Sequence, residues 1–358
     1  MSTLRVTVEE LTVHEHPNAD ALELAQVGLY RAVVAKGAYR TGDFAVYIPE
    51  QAVLPEGLLA ELGLTGRLAG AAANRVKAIR LRGELSQGIV CRPRALAGVD
   101  LARAHRDGTD FAAELGIVKW VPPVPISMSG DVEPAPDLLP WIDIENLKRY
   151  PTAFPEGEPV AITEKVHGTA CSLTYHAGDD RVQVTSKGLG AQRLALAEAP
   201  GNLYWRAVHG HGLPKVAAEL AGELRASRVG IFGEVYGDGV QDLGYGADGR
   251  RGVPGYAVFD IAVADGDGVR WLDPQELTRV LDGRLPVVPT LFSGPYEAQR
   301  VRELAEGRET VSGRAVHLRE GVVIRPLSGR HSTELGGRAI AKMVGDAYLT
   351  RKGGTEYE

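Results

Sequence analysis

Apolar and polar positions alternate along Leu4-Arg5-Val6-Thr7-Val8 and again along Val76-Lys77-Ala78-Ile79-Arg80-Leu81, and Phe44-Ala45-Val46-Tyr47-Ile48 is apolar throughout. A period of two marks strands, and glycines at 28, 37, 42, 83 and 88 punctuate the runs as turns would. Short strands with such turns predict a small β-barrel over residues 1–118. The pattern then breaks, because the prolines at 122, 123, 125, 134, 136, 140, 151 and 155 exclude a regular helix or a central strand. Residues 119–140 therefore read as a linker, and Trp141-Ile142-Asp143-Ile144-Glu145-Asn146-Leu147 as a segment docked on a second domain. That domain, residues 141–350, alternates strand-like runs with helical stretches. Pro214 to Ala226 is amphipathic with proline at its start, and Asp273-Pro274-Gln275-Glu276 offers an N-cap, a first-turn proline and an acidic first turn. The fold class is α+β, ending in a short polar tail at 351–358.

The chain has 358 residues, long for one domain, with 44% hydrophobic and 24% charged residues, the balance of a soluble globular protein. No apolar run approaches the roughly 20 residues that span a bilayer, and no basic-then-apolar leader opens the chain, so a cytoplasmic protein with no membrane partner is expected. Cys91 and Cys171 make neither a disulfide framework nor a metal cluster, which argues against zinc. A net charge of −6 argues at first against nucleic acid, but distribution matters more than the sum. Arg75, Lys77, Arg80 and Arg82 lie close together in the barrel, and nine basic residues from Arg308 to Lys352 stud the C-terminal part. Either group fits a solvated surface or a phosphate-binding face.

The sharpest chemical signal is Lys165-Val166-His167-Gly168-Thr169, at the end of the apolar run Val160-Ala161-Ile162-Thr163-Glu164. A nucleophilic lysine needs a partly desolvated pocket or nearby charge, and a strand end running into a glycine turn offers the pocket and close backbone approach. K-x-x-G alone is weak, since a solvated lysine beside a turn gives the same letters. Its companions are Thr185-Ser186-Lys187-Gly188, Ile231-Phe232-Gly233-Glu234-Val235-Tyr236-Gly237, Tyr256-Ala257-Val258-Phe259-Asp260-Ile261, Glu320-Gly321-Val322-Val323-Ile324-Arg325 and Ala339-Ile340-Ala341-Lys342-Met343-Val344, all read as strand-like.

In this order and at these spacings, with 69 residues from Lys165 to Glu234, 155 from Lys165 to Glu320 and 22 from Glu320 to Lys342, the set resembles the covalent nucleotidyltransferase superfamily of ATP-dependent ligases and capping enzymes. The K-x-H-G-T form with F-G-E later is similar to RNA ligases, where a DNA ligase would usually carry aspartate in place of His167. The accessory module lies N-terminal, which resembles the type-5 branch of ATP-dependent RNA ligases, as do Asn202-Leu203-Tyr204-Trp205-Arg206 and Tyr236-Gly237-Asp238-Gly239-Val240-Gln241-Asp242-Leu243. His16-Pro17-Asn18-Ala19-Asp20-Ala21-Leu22 and Arg82-Gly83-Glu84-Leu85-Ser86-Gln87-Gly88 are similar to OB-fold modules of tRNA-binding proteins, although good turn chemistry alone would explain the first. The resemblance implies an OB-like barrel followed by an ATP-grasp-like adenylyltransferase domain of antiparallel sheets with flanking helices.

It also implies roles. Lys165 would carry AMP from ATP, helped by nearby positive charge that lowers its pKa, and Lys342 would touch the α-phosphate. Glu320 is the expected ligand of magnesium or manganese, with Glu234 meeting a ribose hydroxyl or a metal-bound water. Glu164, His167, Gly168, Lys187, Glu234, Phe259 and Lys342 complete the nucleotide site, Phe259 by stacking on the purine and His167 by facing a phosphate or a metal water. Many relatives have a second lysine where this chain has Val344. Arg75, Lys77, Arg80 and Arg82 would grip nicked duplex or RNA ends, the protein acting as a monomer that seals 3′-hydroxyl RNA ends. Plain readings stand beside these: Phe259 as core, Glu320 and Lys342 as surface. Two alternatives are a capping-type nucleotidyltransferase and a non-catalytic RNA-binding protein.

Other patterns carry less. Gly244-Tyr245-Gly246-Ala247-Asp248-Gly249 matches the dinucleotide fingerprint by letter but is followed by no helix, so it reads as a loop. No Gly-Lys dipeptide exists for a Walker A loop, and His209 and His211 read as surface histidines.

Overall fold

The structure, a computed structural model, describes residues 4–141, 143–265 and 268–354; Ile142 of the docking segment and residues 355–358 of the expected tail lie outside them. The chain divides into two compact units, one running to Val121 and taking in Glu145–Pro151, the other comprising Pro122–Ile144 and everything from Thr152 onward.

In the first unit the central strand is Phe44–Ile48, flanked antiparallel by Thr7–Glu10 and Ile89–Cys91. Its sequence does not alternate because both faces are buried: Val46 and Ile48 enter a core with Val6, Val8 and Leu54, while Ala45 and Tyr47 face Leu11, Ala25 and Val27. Thr12–Glu15, Leu22–Val27 and Tyr30–Ala35 form a three-stranded meander. A Cβ on Gly88 would lie 2.5 Å from the Tyr47 ring, so only glycine fits there. The alternation over Val76 to Leu81 gives a shorter strand than expected, Ile79–Leu81, in an exposed hairpin with Glu84–Ser86. Of the two OB-like segments the second forms the turn and return strand of this hairpin, and the first clasps it. The buried His16 sets its Nε2 3.1 Å from the Leu81 carbonyl and accepts the Asn18 N–H on Nδ1, and Asn18 donates to the Arg82 carbonyl at 3.0 Å.

The second unit holds a large sheet and a smaller one, besides the short pair His331–Ser332 with Gly337–Arg338. Seven antiparallel strands run in the order Val132–Pro134, Leu194–Leu196, Arg181–Ser186, Thr169–His176, Arg228–Tyr236, Gly255–Ala264 and Val269–Trp271. The helices Leu203–Gly210, Leu213–Leu224 and Pro274–Leu281 pack on one face of this sheet around Leu173, Ile231 and Tyr256. In the smaller sheet Ala341–Val344, Gly321–Pro326, Pro159–Lys165 and Thr290–Pro295 lie side by side. The stretch 122–144 is not a detached linker. Val132–Pro134 is an edge strand, where a proline is tolerated, and Met128, Leu138 and Leu139 are buried. Thr185-Ser186-Lys187-Gly188 is a strand only to Ser186, whose hydroxyl accepts the Leu189 N–H and caps the short helix Lys187–Ala191. Asp273 does precede a helix, yet its carboxylate accepts the Gly329 N–H rather than capping. Before the expected tail Asp346–Leu349 is helical, and the first tail residue, Arg351, folds back into the unit.

Candidate active site

The Lys165-to-Thr169 pentapeptide is where the chain crosses between the sheets. Lys165 ends a strand of the small sheet, and Thr169 opens a strand of the large one. Gly168 has to be glycine, because a Cβ there would stand 2.1 Å from the Val235 carbonyl oxygen. Register then decides which side chains share the cleft. Lys165 is level with Gly321 and Val344, Thr163 with Val323 and Lys342, and Ala161 with Arg325. Alternation places these on one face, so Lys342 shares the face of Lys165. Glu164, level with Val322 and Met343, is on the other face; its buried carboxylate accepts from the Thr310 N–H and hydroxyl at 2.8 and 2.6 Å. The Glu164 carboxylate is therefore engaged by Thr310 on the face opposite Lys165.

Lys165 Nζ lies 2.8 Å from Glu320 Oε1. Across the cleft Glu234 stands on the large sheet and accepts the Gly168 N–H. Burial pushes the Lys165 ammonium down, but Glu320 and Glu234 outweigh it and hold the amine above its ordinary range. The lowered pKa expected of the nucleophile is thus not produced by the chain alone, because its nearest charges are acids. Burial raises Glu234 from 4.5 to about 8, Lys165 opposing and Glu320 adding to the rise. Lys187 lies 2.7 Å from Asp143 Oδ1, and its charge also reaches Glu234. Phe259 is the extra residue of a bulge opposite Phe232 and Gly233, half-buried, with its ring edge-on to Trp141 at 6.2 Å.

His167 is held from four directions. Its N–H donates to the Tyr245 hydroxyl at 2.7 Å, its Nε2 is 2.8 Å from Asp242 Oδ1, and its Nδ1 is 2.7 Å from the Tyr348 hydroxyl and 3.9 Å from Glu320 Oε2. Arg351 binds Asp242 with Nε and Nη2, at 2.9 and 3.0 Å, and stacks 3.7 Å over the Tyr348 ring. Sequence reasoning missed Tyr245, Tyr348 and Arg351. Tyr245 sits in the glycine-rich decoy loop, and the other two lie in a four-residue helix and its end, too short for any periodicity.

Among the described residues no three His, Cys, Asp or Glu side chains are grouped to hold a metal ion. Glu320 and Glu234 supply hard oxygen donors. Such a pair suits magnesium or manganese arriving with phosphate oxygens and retained water, rather than an ion held in an all-protein cage.

In the first unit the four basic candidates separate. Arg75 is buried with its guanidinium 3.5 Å over the Trp120 ring, which makes it a packing residue and not an exposed phosphate contact. Lys77 is half-buried, and Arg80 and Arg82 are exposed on the hairpin beside Ile79 and Leu81, themselves 48% and 37% exposed.

Comparison with known proteins adds three observations. An RNA ligase family model matches residues 158–344, and an OB-fold domain model matches residues 5–93. The fold is similar to Naegleria gruberi RNA ligase, at 22% identity: to an apo aspartate variant with TM-score 0.77 over 98% of each chain, and to a lysine variant with ATP and Mn at 0.77, over 96% of this chain and 98% of that one. A glutamate variant with AMP and Mn gives 0.76 over 97% and 98%. No curated protein matches by sequence.

Proposed function

The chain belongs to the RNA ligase family, whose model covers more than half of it, and from that premise we propose an ATP-dependent ligase that joins RNA ends through AMP carried on Lys165. One observation carries the reading: at the crossover between two sheets a lysine faces a cleft with Glu320 at 2.8 Å and Glu234 opposite. The similar Naegleria structures were solved with ATP and Mn, with AMP and Mn or with PPi, which supports the choice of nucleotide and metal.

The Lys165 amine attacks the α-phosphorus of ATP, forming a P–N bond as the bond to pyrophosphate breaks, and the nitrogen gives up a proton. Glu320, already at hydrogen-bonding distance, is the nearest base for that proton. A 5′-phosphate oxygen then attacks the same phosphorus, and the P–N bond breaks as the Lys165 nitrogen takes a proton back. Finally a 3′-hydroxyl attacks the activated 5′-phosphate and AMP leaves. A divalent cation bound beside Glu320 would neutralise phosphate charge. The residues have to position and neutralise, which is what phosphoryl-type transfer demands. Lys342, on the face of Lys165, would touch the α-phosphate, while Glu234 would meet a ribose hydroxyl and Phe259 the purine. The hairpin carrying Arg80 and Arg82 would hold the nucleic acid, and the enzyme would work as a cytoplasmic monomer.

Incubation with α-labelled ATP, manganese and a 5′-phosphorylated nicked RNA duplex tests this. The label should stay with denatured protein, pass to the RNA 5′ end when a 3′-hydroxyl is lacking, and yield sealed strands when one is present. A protein that never holds label would contradict the ligase reading; label from GTP instead of ATP would favour a capping-type enzyme.

A further inference from the structure

The four side chains Asp242, Arg351, Tyr348 and His167 close a ring against the cleft, and three of them take no part in the covalent chemistry. Their donors and acceptors can be counted. A carboxylate only accepts, and a guanidinium only donates. Asp242 Oδ1 receives Arg351 Nη2 at 3.0 Å and also faces His167 Nε2 at 2.8 Å, so a proton must sit on Nε2. The opposite tautomer would set a lone pair against a carboxylate oxygen. On the far side of the ring Nδ1 faces the Tyr348 hydroxyl at 2.7 Å, which can supply the one proton that contact needs. Arg351 already neutralises Asp242 with two hydrogen bonds, so Asp242 does not call for a second cation in the ring.

What Nδ1 carries matters because Glu320 Oε2 is 3.9 Å away. A proton there would let the ring turn slightly and bind the carboxylate that Lys165 and an incoming cation both need. A bare Nδ1, occupied by a phenol hydroxyl, cannot. We propose that Asp242, Arg351 and Tyr348 are positioning residues that hold His167 as the Nε2–H tautomer, so that its Nδ1 withholds a hydrogen bond from Glu320 and leaves that carboxylate to Lys165 and the substrate. The C-terminal segment from Asp346 to Arg351 is then part of the ligase machinery. The inference rests on the ligase reading of this site. It also changes what His167 can do: an acceptor nitrogen cannot serve as a donor to phosphate, one of the two partners foreseen for it.

The test has two readouts. In the full chain labelled with nitrogen-15 histidine, and with the His167 signals assigned by loss in His167→Gln, the ring nitrogens should show Nδ1 bare and Nε2 protonated. Asp242→Asn offers a carboxamide N–H toward Nε2 and should drive the proton to Nδ1, as carboxylate-to-carboxamide changes do in other carboxylate–histidine pairs. The rate of lysyl-AMP formation should fall about 10–100-fold with little change in KM for ATP, and Arg351→Lys should retain more activity than Arg351→Met. A wild-type ring protonated on Nδ1 overturns the proposal whatever the variants do, and so does an Asp242→Asn protein whose tautomer moves while lysyl-AMP forms at full rate. Failure of the wild-type protein to form lysyl-AMP would sink the ligase reading instead, since the nitrogen spectrum does not depend on it.

Discussion

Two ion pairs grow from the same strand pair, Pro159–Lys165 with Gly321–Pro326, and they serve opposite ends. At one end Lys165 meets Glu320, with side chains 23% and 12% exposed. At the other Arg325 reaches from the small sheet to Asp260 on the large one, at 7% and 6%. Asp260 is saturated: it takes Arg338 at 2.6 Å, Arg325 at 3.4 Å and the Ile261 N–H at 3.1 Å, and Arg338 lies 4.4 Å over the Trp271 ring. The Lys165–Glu320 pair instead has a second acid beside it, Glu234, whose carboxyl burial raises to about 8. A buried pair reinforced by a second arginine ties two sheets together; a more exposed pair with a second acid beside it is one whose partners a ligand can exchange.

Truncating each pair on its acid side breaks this comparison most strongly. Asp260→Ala leaves the buried Arg325 without its acid and should cost about 3–5 kcal/mol in denaturant unfolding. The same truncation at Glu320 should cost less than about 1 kcal/mol, as more exposed pairs do, while metal-dependent sealing is lost. Equal stability losses would erase the distinction between the two sites.

The raised Glu234 carboxyl gives a pH signature. Glu234 holds its proton to about 8 when folded, whereas the unfolded chain releases it near 4.5. Between those values the folded state binds more protons, so its stability should fall as pH rises and level off above about 8. Glu234→Gln should flatten that slope in unfolding curves taken from pH 5 to 9. Lys165 contributes in a separate window, since its raised pKa favours the folded state until pH climbs past the ordinary lysine range.

How much of this could be read beforehand follows from the same contrast. Lys165, Glu234 and Glu320 stood out because each sits in or at the end of an apolar run, and the runs follow one another in a fixed order and spacing. The register that sends Glu164 to the opposite face from Lys165 was also implicit, because successive residues on a strand alternate. The arrangement of Tyr348 and Arg351 was not legible. Their contacts join residues over 100 positions apart, from a helix of four residues that leaves no periodic trace. Arg75 failed for a related reason: its charge suggested surface, but a facing Trp120 ring drew it inside.

The smallest effect is expected in the first unit. If its hairpin holds nucleic acid, Arg80→Glu with Arg82→Glu should weaken nick binding and reduce the log–log salt slope by about one unit for each phosphate no longer neutralised. An unchanged slope would remove the hairpin from the binding surface.

The central claim is that the open pair, and no other lysine, carries the covalent step. Peptide mass mapping after incubation with ATP and manganese tests it directly. The added mass of AMP should fall on the peptide containing Lys165 and vanish in Lys165→Ala with the fold intact. AMP on Lys187 or Lys342, or undiminished labelling of Lys165→Ala, would contradict it.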